Sequence, residues 1–309
     1  MADPPAPSTR RPATPPVTIA FAGATLDRAA HLRTDDEYER LRRLDTSRAV
    51  LVGTDREIAI AETGHLVLAP LGALPPGAPG TFLGIEPAGG AVFACDALEL
   101  DEPVDGPHRF APLRALTAEL APAEAALATY GAGMVGWHRV NRHCGRSGHA
   151  TVVEAAGHRR RCPGCGLVQF PRTDPAVTML VTAGERCLLS RRAGAPKNRW
   201  SALAGFVEPG ETLEEAVARE TREETAVEVM TVEYVASQPW PFPAALMVGF
   251  WAFADPTAPG ALEPQPDELI EARWFARDEL GRAVRDGTIA LPPPGTIGNF
   301  LILTWLADG

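Results

Sequence analysis

Residues 205–227 read GFVEPGETLEEAVARETREETAV, and this stretch decides the fold of the C-terminal part of the chain. Its apolar spacing predicts a helix over residues 212–225. Glutamates crowd this helix and its ends, at positions 211, 214, 215, 220, 223, 224 and 228. Glu220 is three residues from Glu223 and four from Glu224, so the three carboxylates project to one side. There they repel one another by a few tenths of a kcal/mol per pair.

The acidic cluster continues an apolar face of the helix. Leu213, Ala216 and Val217 precede Glu220 on the same side, whereas a merely solvated acidic face would lie opposite the apolar residues. Carboxylates at the edge of a core suit hard divalent ions such as Mg²⁺ or Mn²⁺. Such ions in turn suit a diphosphate. A glutamate-rich helix is most often just a solvated face, so the spacing of its residues must decide.

That spacing resembles the Nudix box. The matching positions are Gly205, Glu211, Arg219, Glu220, Glu223, Glu224 and Val227. Two positions depart from the pattern: Thr221 replaces an apolar residue, and Ala226 replaces a glycine at the end of the helix. The resemblance implies an α/β/α sandwich that hydrolyses a nucleoside diphosphate linked to another group. We also expect Arg219 to pair with Glu215 or Glu223, which are four residues away.

A second motif, SQPWPFP at residues 237–243, narrows the substrate class. Its prolines favour an extended segment that presents Trp240 and Phe242 for stacking on a flat ring, or for packing of a surface loop. The heptad is similar to the signature of the NADH pyrophosphatases, a family that includes NAD-capped RNA hydrolases. Segments 170–177, 203–220 and 291–297 are similar to the same family, which makes NAD(H) the expected substrate.

The resemblance also assigns roles to residues. The Mg²⁺ or Mn²⁺ ligands would be the Ala204 carbonyl, Glu220, Glu223, Glu224 and Glu268, and the three glutamates of the helix would be catalytic. The substrate-binding positions would be Arg114, Phe170, Phe206, Gln238, Trp240, Ala245 and Gly298. Trp240 would come from a partner subunit, which predicts a homodimer. Ala245 stands where the family has a serine.

The implied reaction is attack of a metal-activated water on one phosphorus, with a glutamate as general base and NMN(H) and AMP as products. ADP-ribose and the NAD cap of RNA are alternative substrates with the same chemistry. A different class of function is a sensor that binds NAD or ADP-ribose without cleaving it. The intact Glu220, Glu223 and Glu224 count against a sensor.

A separate segment carries half of a zinc ribbon. Cys162 and Cys165 form one Cys-x-x-Cys pair, but the other pair consists of Cys144 and Ser147. Structural zinc needs four ligands, and a neutral hydroxyl is a poor substitute for a thiolate. The sequence leaves two alternatives open. A histidine completes the site, with His143, His149 and His158 as candidates, or the module folds without a full equivalent of zinc, which we favour.

Length and composition predict the organisation of the chain. Its 309 residues exceed what one core usually organises. We expect a disordered proline-rich tail at residues 1–16, a mainly β domain at 17–135, the degenerate zinc-ribbon-like module at 136–170 and the α/β Nudix domain at 171–309. Helices are predicted at 35–45, at 113–130 with an interruption at Pro122, and at 277–285 and 296–306. A hairpin is predicted around Gly184.

Charge and hydropathy limit the partners. The formal charge is -10, which argues against a protein that holds nucleic acid mainly by neutralising phosphates. The chain has no run of 18 apolar residues and no secretory signal, so we expect a cytoplasmic protein without a membrane partner. Its five cysteines are therefore not expected to form a disulfide framework.

Overall fold

The computed structural model describes residues 19–75, 80–100, 104, 106–257, 261–266 and 268–308. The chain divides into two compact units. The N-terminal unit comprises Ile19–Ala176 together with Ser237–Met247, and the C-terminal unit comprises residues 177–236 and 248–308. The predicted tail at residues 1–16 lies outside the described residues. Among the helices that the structure describes, none has the length and apolar character needed to span a bilayer.

The N-terminal unit is built on a six-stranded sheet. Its strands are β1 (Arg48–Val52), β2 (Glu57–Ala61), β3 (Leu68–Pro70), β4 (Gly80–Ile85), β5 (Ala91–Asp96) and β6 (His108–Pro112). They lie in the order β4-β5-β1-β2-β6, with β3 also paired to β1. Strands β1 and β5 are parallel, whereas β1 is antiparallel to β2 and β3. The mainly β character predicted for this part of the chain is confirmed.

Both faces of strand β1 are buried, which explains its continuous apolar sequence. Successive side chains of a strand point to opposite faces. Val50 therefore packs in a core that includes helix α2 (Pro122–Val140), while Leu51 packs in a second core that includes Leu41 of helix α1 (Asp35–Arg42).

The predicted helix over residues 113–130 is partly wrong. A 3₁₀ helix spans Leu113–Ala118, and α2 begins at Pro122 and continues to Val140. Proline suits the first turn of a helix because the missing N–H would have no partner there. The glycines after residue 130 do not end the helix. A Cβ on Gly131 would lie 3.1 Å from Cγ1 of Val50, so glycine lets α2 approach the sheet closely.

The C-terminal unit is built on a second six-stranded sheet, in the order β13-β14-β10-β11-β15 with β12 paired to β10. Its strands are β10 (Asp174–Ala183), β11 (Arg186–Arg192), β12 (Leu203–Phe206), β13 (Val229–Trp240), β14 (Ala245–Ala254) and β15 (Leu269–Ala276). In the N-terminal unit, strands β7 (Val152–Glu154), β8 (Arg159–Arg161) and β9 (Val168–Gln169) form a small separate sheet. The predicted hairpin at Gly184 is confirmed, since Ala183 pairs with Arg186.

Helices cover the second sheet. Helices α4 (Arg277–Arg285) and α5 (Ile297–Ala307) share a core with β10, β11 and β15. Leu180, Leu189 and Phe275 of the strands belong to the same buried cluster as Leu280 and Trp305 of the helices. Met179 and Leu188 point to the opposite face and are also fully buried. Helix α3 (Leu213–Thr225) contacts β12. This arrangement confirms the predicted α/β class of the C-terminal part.

Helix α3 has a well-defined start and end. Thr212 caps it: its side chain accepts from the backbone N–H of Glu215, and the Glu215 carboxylate accepts from the N–H of Thr212. Of the two alternative partners expected for Arg219, Glu215 serves in the cap, and Arg219 pairs with Glu223. Thr221 is fully buried and donates to the Val217 carbonyl, which satisfies its hydroxyl. Ala226 ends the helix with φ 61°, a left-handed conformation that favours glycine.

Candidate active site and cysteine cluster

Arg219 organises the acidic face of α3. Its guanidinium donates to both Glu211 oxygens at 2.5 and 3.0 Å, to Glu220 at 2.9 Å and to Glu223 at 2.9 Å. It also donates to the Phe206 carbonyl at 2.9 Å, which ties the helix to strand β12. These bonds lower the pKa of Glu211 and raise the pKa of Arg219. The repulsion expected among the glutamates is therefore offset by one shared cation.

Glu220 lies directly against the backbone of Gly205. A Cβ added to Gly205 would stand 1.9 Å from the carboxyl carbon of Glu220, far inside the contact distance of two non-bonded carbon atoms. Only glycine fits this position while the carboxylate stays where it is. Burial raises the pKa of Glu220, although the hydrogen bond from Arg219 acts in the opposite direction. The first glycine of the box thus makes room for a carboxylate rather than for a turn.

Glu224 is the most deeply buried of the three glutamates, with 1% of its side chain exposed. Its Oε1 accepts from Arg192 at 3.3 Å, and its Oε2 has no hydrogen-bond partner among the described residues. Burial raises the pKa of Glu224 to about 7; Arg192 opposes this shift, and the charges of Glu220 and Glu268 add to it. The same Nη2 atom of Arg192 also donates to the Ala204 carbonyl.

The residues around Glu224 fit a divalent ion. They offer carboxylate and carbonyl oxygens, which are the ligands of Mg²⁺ and Mn²⁺. A buried carboxylate oxygen without a hydrogen-bond partner costs free energy, and a bound ion would offset that cost. The carboxylates are nevertheless less tightly gathered than thiols elsewhere: in the described part of the chain, only three cysteines bring three ligand atoms within 4.8 Å of one another. We call Glu220, Glu223 and Glu224 the carboxylate cluster.

The other predicted site residues of the C-terminal unit lie in or next to β12, β15 and α5. Ala204 and Phe206 belong to β12, Glu268 immediately precedes β15, and Gly298 lies in the first turn of α5. The Phe206 side chain is exposed, so its ring is free to stack on a ligand. Glu268 is exposed, and its charge acts on both Glu220 and Glu224.

In the N-terminal unit, the structure brings Arg114 and Trp240 together. The Arg114 guanidinium lies 5.4 Å from the Trp240 ring and 4.7 Å from the Phe242 ring. Phe21 completes the group, with ring centroids 5.9 Å from Trp240 and 6.1 Å from Phe242. The SQPWPFP heptad is therefore held by aromatic and cation–π packing within its own unit.

The remaining predicted substrate residues of the N-terminal unit differ in accessibility. Phe170 is 64% exposed and follows β9. Gln238 is fully buried and donates to the Ala20 carbonyl at 2.9 Å. Ala245 is buried at the start of β14. Of these three side chains, only the Phe170 ring is openly presented to solvent.

Cys144, Cys162 and Cys165 form a cysteine cluster. Sγ of Cys144 lies 3.6 Å from Sγ of Cys165, and Oγ of Ser147 lies 3.2 Å from Sγ of Cys162. The serine thus occupies the place of a fourth ligand. Its side-chain hydrogen bond lowers the pKa of Cys144 to about 6 and also lowers the pKa of Cys162. Thiolates are the form that binds metal.

The two halves of the cysteine cluster have the same backbone turn. Gly148 donates its N–H to the Cys144 carbonyl at 2.8 Å, and Gly166 donates to the Cys162 carbonyl at 2.9 Å. Both glycines have φ 73°. The turn around Ser147 therefore persists without a cysteine in that position.

The structure separates the three candidate histidines. Nδ1 of His149 lies 3.3 Å from Oγ of Ser147, and its ring packs on Gly164. His158 instead contacts the Phe82 carbonyl at 2.6 Å, and burial lowers its pKa to about 4. Thr151 and His143 flank the first turn, and the backbone of His143 bridges to Ala150. His149 is therefore the histidine that lies against Ser147, the residue in the fourth ligand position.

Two residues that contact predicted site residues were missed by sequence analysis. Arg192 contacts Glu224 and Ala204 from the end of β11, and Phe21 packs on Trp240 from far along the chain. No motif marks either residue. The hydrophobic content around Phe21 was the one available signal, and it does not identify a partner 219 positions away.

Comparisons with known proteins agree with this architecture. A family model described as the NUDIX domain matches residues 172–292, and one described as the NADH pyrophosphatase zinc ribbon domain matches residues 136–170. A Pseudomonas aeruginosa protein named NAD-capped RNA hydrolase NudC is 41% identical over 213 residues, which cover 68% of this chain and 72% of that protein.

A second relative extends the match over nearly the whole chain. A Mycobacterium bovis protein, also named NAD-capped RNA hydrolase NudC, is 37% identical over 298 residues. The match covers 91% of this chain and 92% of that protein. Coverage of this extent takes in most of both units. The chain belongs to the NAD-capped RNA hydrolase NudC family of Nudix hydrolases.

Proposed function

We propose that the protein hydrolyses the diphosphate of NAD(H) to NMN(H) and AMP, and that it removes NAD caps from RNA. The observation that carries this proposal is the complete carboxylate cluster, with Glu224 buried and its Oε2 without a partner among the described residues. The names of the Pseudomonas and Mycobacterium relatives support NAD-capped RNA as a substrate. The NADH pyrophosphatase zinc ribbon model supports the dinucleotide itself.

The proposed ligands of Mg²⁺ or Mn²⁺ are the Ala204 carbonyl, Glu220, Glu223, Glu224 and Glu268. A bound divalent ion supplies a Lewis acid for the phosphate oxygens. Arg219 orients the Glu220 and Glu223 carboxylates through its two bonds of 2.9 Å. Oε2 of Glu224 is free to hold an ion or to accept a proton from the attacking water. The three carboxylates of the helix therefore have defined positions before a substrate binds.

The substrate contacts remain proposals taken from the family resemblance. They are Phe206 and Gly298 in the C-terminal unit, and Arg114, Phe170, Gln238, Trp240 and Ala245 in the N-terminal unit. The exposed rings of Phe206 and Phe170 are suited to stacking on a base or on nicotinamide. Gln238 already donates to Ala20, so its role is better explained as support for the heptad than as a free donor.

The test is chromatography of the products after incubation with NADH, ADP-ribose or NAD-capped RNA in the presence of Mg²⁺ or Mn²⁺. We expect NMNH and AMP from NADH, and 5′-monophosphate RNA from the capped transcript. Cleavage of ADP-ribose with NADH left intact would assign the enzyme to the alternative substrate. Binding of NAD or ADP-ribose with no cleavage of any substrate would support the sensor instead.

We further propose that the protein is a homodimer, because the family resemblance places Trp240 in the site of a neighbouring subunit. Light scattering combined with an NADH assay tests the assembly. A dimer that turns over NADH is expected. An active monomer would contradict the assembly but not the reaction.

A further inference from the structure

Arg192 contacts two of the oxygens that are proposed to bind the divalent ion. Its Nη2 donates to the Ala204 carbonyl and, at 3.3 Å, to Oε1 of Glu224. Among the described residues, no other group donates a hydrogen bond to the Glu224 carboxylate. The guanidinium and a divalent ion are both cations, and both are attracted to the same pair of oxygens.

The strand that carries Arg192 directs it toward this site. Arg191 and Arg192 are adjacent at the end of β11, so their side chains point to opposite faces of the sheet. Arg191 pairs with Glu271 and lies over the Trp200 ring, whereas Arg192 reaches Glu224. The pairing of β11 with β15 shifts register between these two arginines, and such irregularities commonly re-aim a side chain near a functional site.

The backbone after Arg192 brings Glu268 into the same neighbourhood. The N–H of Ala193 donates to the Glu268 carbonyl at 3.2 Å. Glu268 is the remaining carboxylate proposed to bind the ion, and its charge acts on Glu220 and Glu224. Arg192 is thus placed among Ala204, Glu224 and Glu268. It is also 48% exposed, so it has room to move away without rearrangement of the core.

We propose that Arg192 is a cationic competitor of the divalent ion, and that it raises the concentration of Mg²⁺ or Mn²⁺ at which the site fills. This inference rests on the proposed function, because it needs the ion to bind Ala204 and Glu224. Arg192 acts through these ligands, so it is a positioning residue rather than a catalytic one. Its displacement would couple activity to the level of free divalent ion.

The test measures Mn²⁺ binding by calorimetry or by the loss of the free Mn²⁺ signal in electron paramagnetic resonance. Arg192→Gln is expected to bind Mn²⁺ roughly tenfold more tightly than the wild type, since a positive charge a few Å from the ion is removed. Arg192→Lys keeps the charge and is expected to stay close to the wild type. Arg191→Gln is the matched control on the opposite face and should leave the affinity unchanged.

A second measurement separates competition from a general loss of structure. In chelator, Arg192→Gln is expected to melt at a lower temperature than the wild type, because Glu224 loses its partner. Saturating Mn²⁺ should raise the melting temperature of the variant more than that of the wild type. Unchanged or weaker Mn²⁺ binding by Arg192→Gln would overturn the inference. The proposed metal site itself fails if the wild-type protein binds no Mn²⁺, or if Glu224→Gln binds Mn²⁺ as well as the wild type does.

Discussion

The carboxylate cluster and the cysteine cluster both gather metal-type ligands, but they are held in different ways. Charged side chains hold the carboxylates: Arg219 binds Glu220 and Glu223, and Arg192 binds Glu224. Backbone turns hold the cysteines, and the two turns keep the same glycine conformation although one has lost its cysteine. A site made by side chains depends on each neighbour, whereas a site made by backbone turns keeps its shape when a ligand changes.

The strongest test of this comparison removes one charge from the carboxylate cluster. Glu224→Gln keeps the side-chain volume but removes the charge that holds an ion or accepts a proton. We expect the rate of NADH hydrolysis to fall at least about 100-fold with the fold intact. The measurement is turnover with Mn²⁺ together with a circular dichroism spectrum. Glu214→Gln, exposed on the first turn of the same helix, is the control. Activity of Glu224→Gln within tenfold of wild type would remove Glu224 from the mechanism.

A smaller change, which alters no charged group itself, sharpens the same point. Gly205→Ala places a methyl group where the Glu220 carboxylate lies, so the carboxylate must move. We expect turnover to fall at least about tenfold and Mn²⁺ affinity to weaken, because ligand position controls both. Gly72→Ala has open space around its added methyl group and serves as the control. Wild-type activity in Gly205→Ala would mean that Glu220 needs no fixed position.

Ser147→Cys tests the cysteine cluster. Ser147 lies three residues after Cys144 and 15 before Cys162, and its Oγ is 3.2 Å from Sγ of Cys162. A fourth thiolate in this ready-made turn is expected to raise zinc content to about one per chain and to raise the melting temperature, with little effect on turnover.

Elemental analysis of protein purified without chelator, together with melting curves, gives the answer. A full equivalent of zinc in the wild type would show that another group completes the site. In that case His149 is the first histidine to replace, because its Nδ1 lies 3.3 Å from Oγ of Ser147.

The contacts that His138 of helix α2 makes with Gly157 and with Arg160 of β8 are expected to weaken in acid. Nδ1 of His138 accepts from Arg160 at 2.8 Å and Nε2 contacts the Gly157 carbonyl at 2.9 Å, so the ring is held neutral. Burial and the Arg160 charge lower the pKa of His138 to about 4. A depressed histidine pKa means that the unfolded chain binds the proton first. The contribution of the neutral His138 ring to the free energy of unfolding is therefore complete above pH 6.5 and is lost as the pH falls toward 4.

Denaturant unfolding between pH 7 and pH 4 measures this loss. His138→Gln has no ring to protonate, and its unfolding free energy should fall less steeply over this interval than that of the wild type. His31→Gln, which replaces an exposed histidine, is the control. Equal slopes for wild type and His138→Gln would exclude His138 as the source.

The smallest expected effect concerns the end of helix α3. Ala226→Gly removes the strain of an alanine at φ 61°, about 1–2 kcal/mol, and adds back about 0.5–1 kcal/mol of unfolded-state entropy. The net gain in the free energy of unfolding should be about 0.5–1 kcal/mol, measured by urea denaturation. A loss of stability would show that another contact of the Ala226 methyl group outweighs the strain.

Sequence spacing predicted those features that depend on neighbours along the chain. Helix α3 was predicted at residues 212–225 and spans Leu213–Thr225, because its cap and apolar period are local signals. The pairing of Arg219 with Glu223 was predicted for the same reason and is confirmed. The end of α2 at Val140 was not predicted, since the helix continues through Gly131, which packs against Val50 of β1.

Contacts made through the fold could not be predicted in this way. Arg192 meets Glu224 across 32 positions of sequence, and Gln238 meets Ala20 across 218. Gly205 was recognised as part of a pattern, but its reason, the Glu220 carboxylate packed against it, exists only in three dimensions. Spacing identifies which residues share a helix face; it carries no information on which strand end lies opposite that face.

The hairpin tip Ser237–Met247 has a practical consequence for dissecting this protein. It is assigned to the N-terminal unit although it is joined by β13 and β14 to sequence of the C-terminal unit. A fragment that ends at residue 176 would lack Trp240 and Phe242, leaving Phe21 and Arg114 without these aromatic partners. We expect such a fragment to expose an apolar patch and to aggregate on expression. Domain boundaries taken from contiguous sequence would therefore give an unstable N-terminal piece.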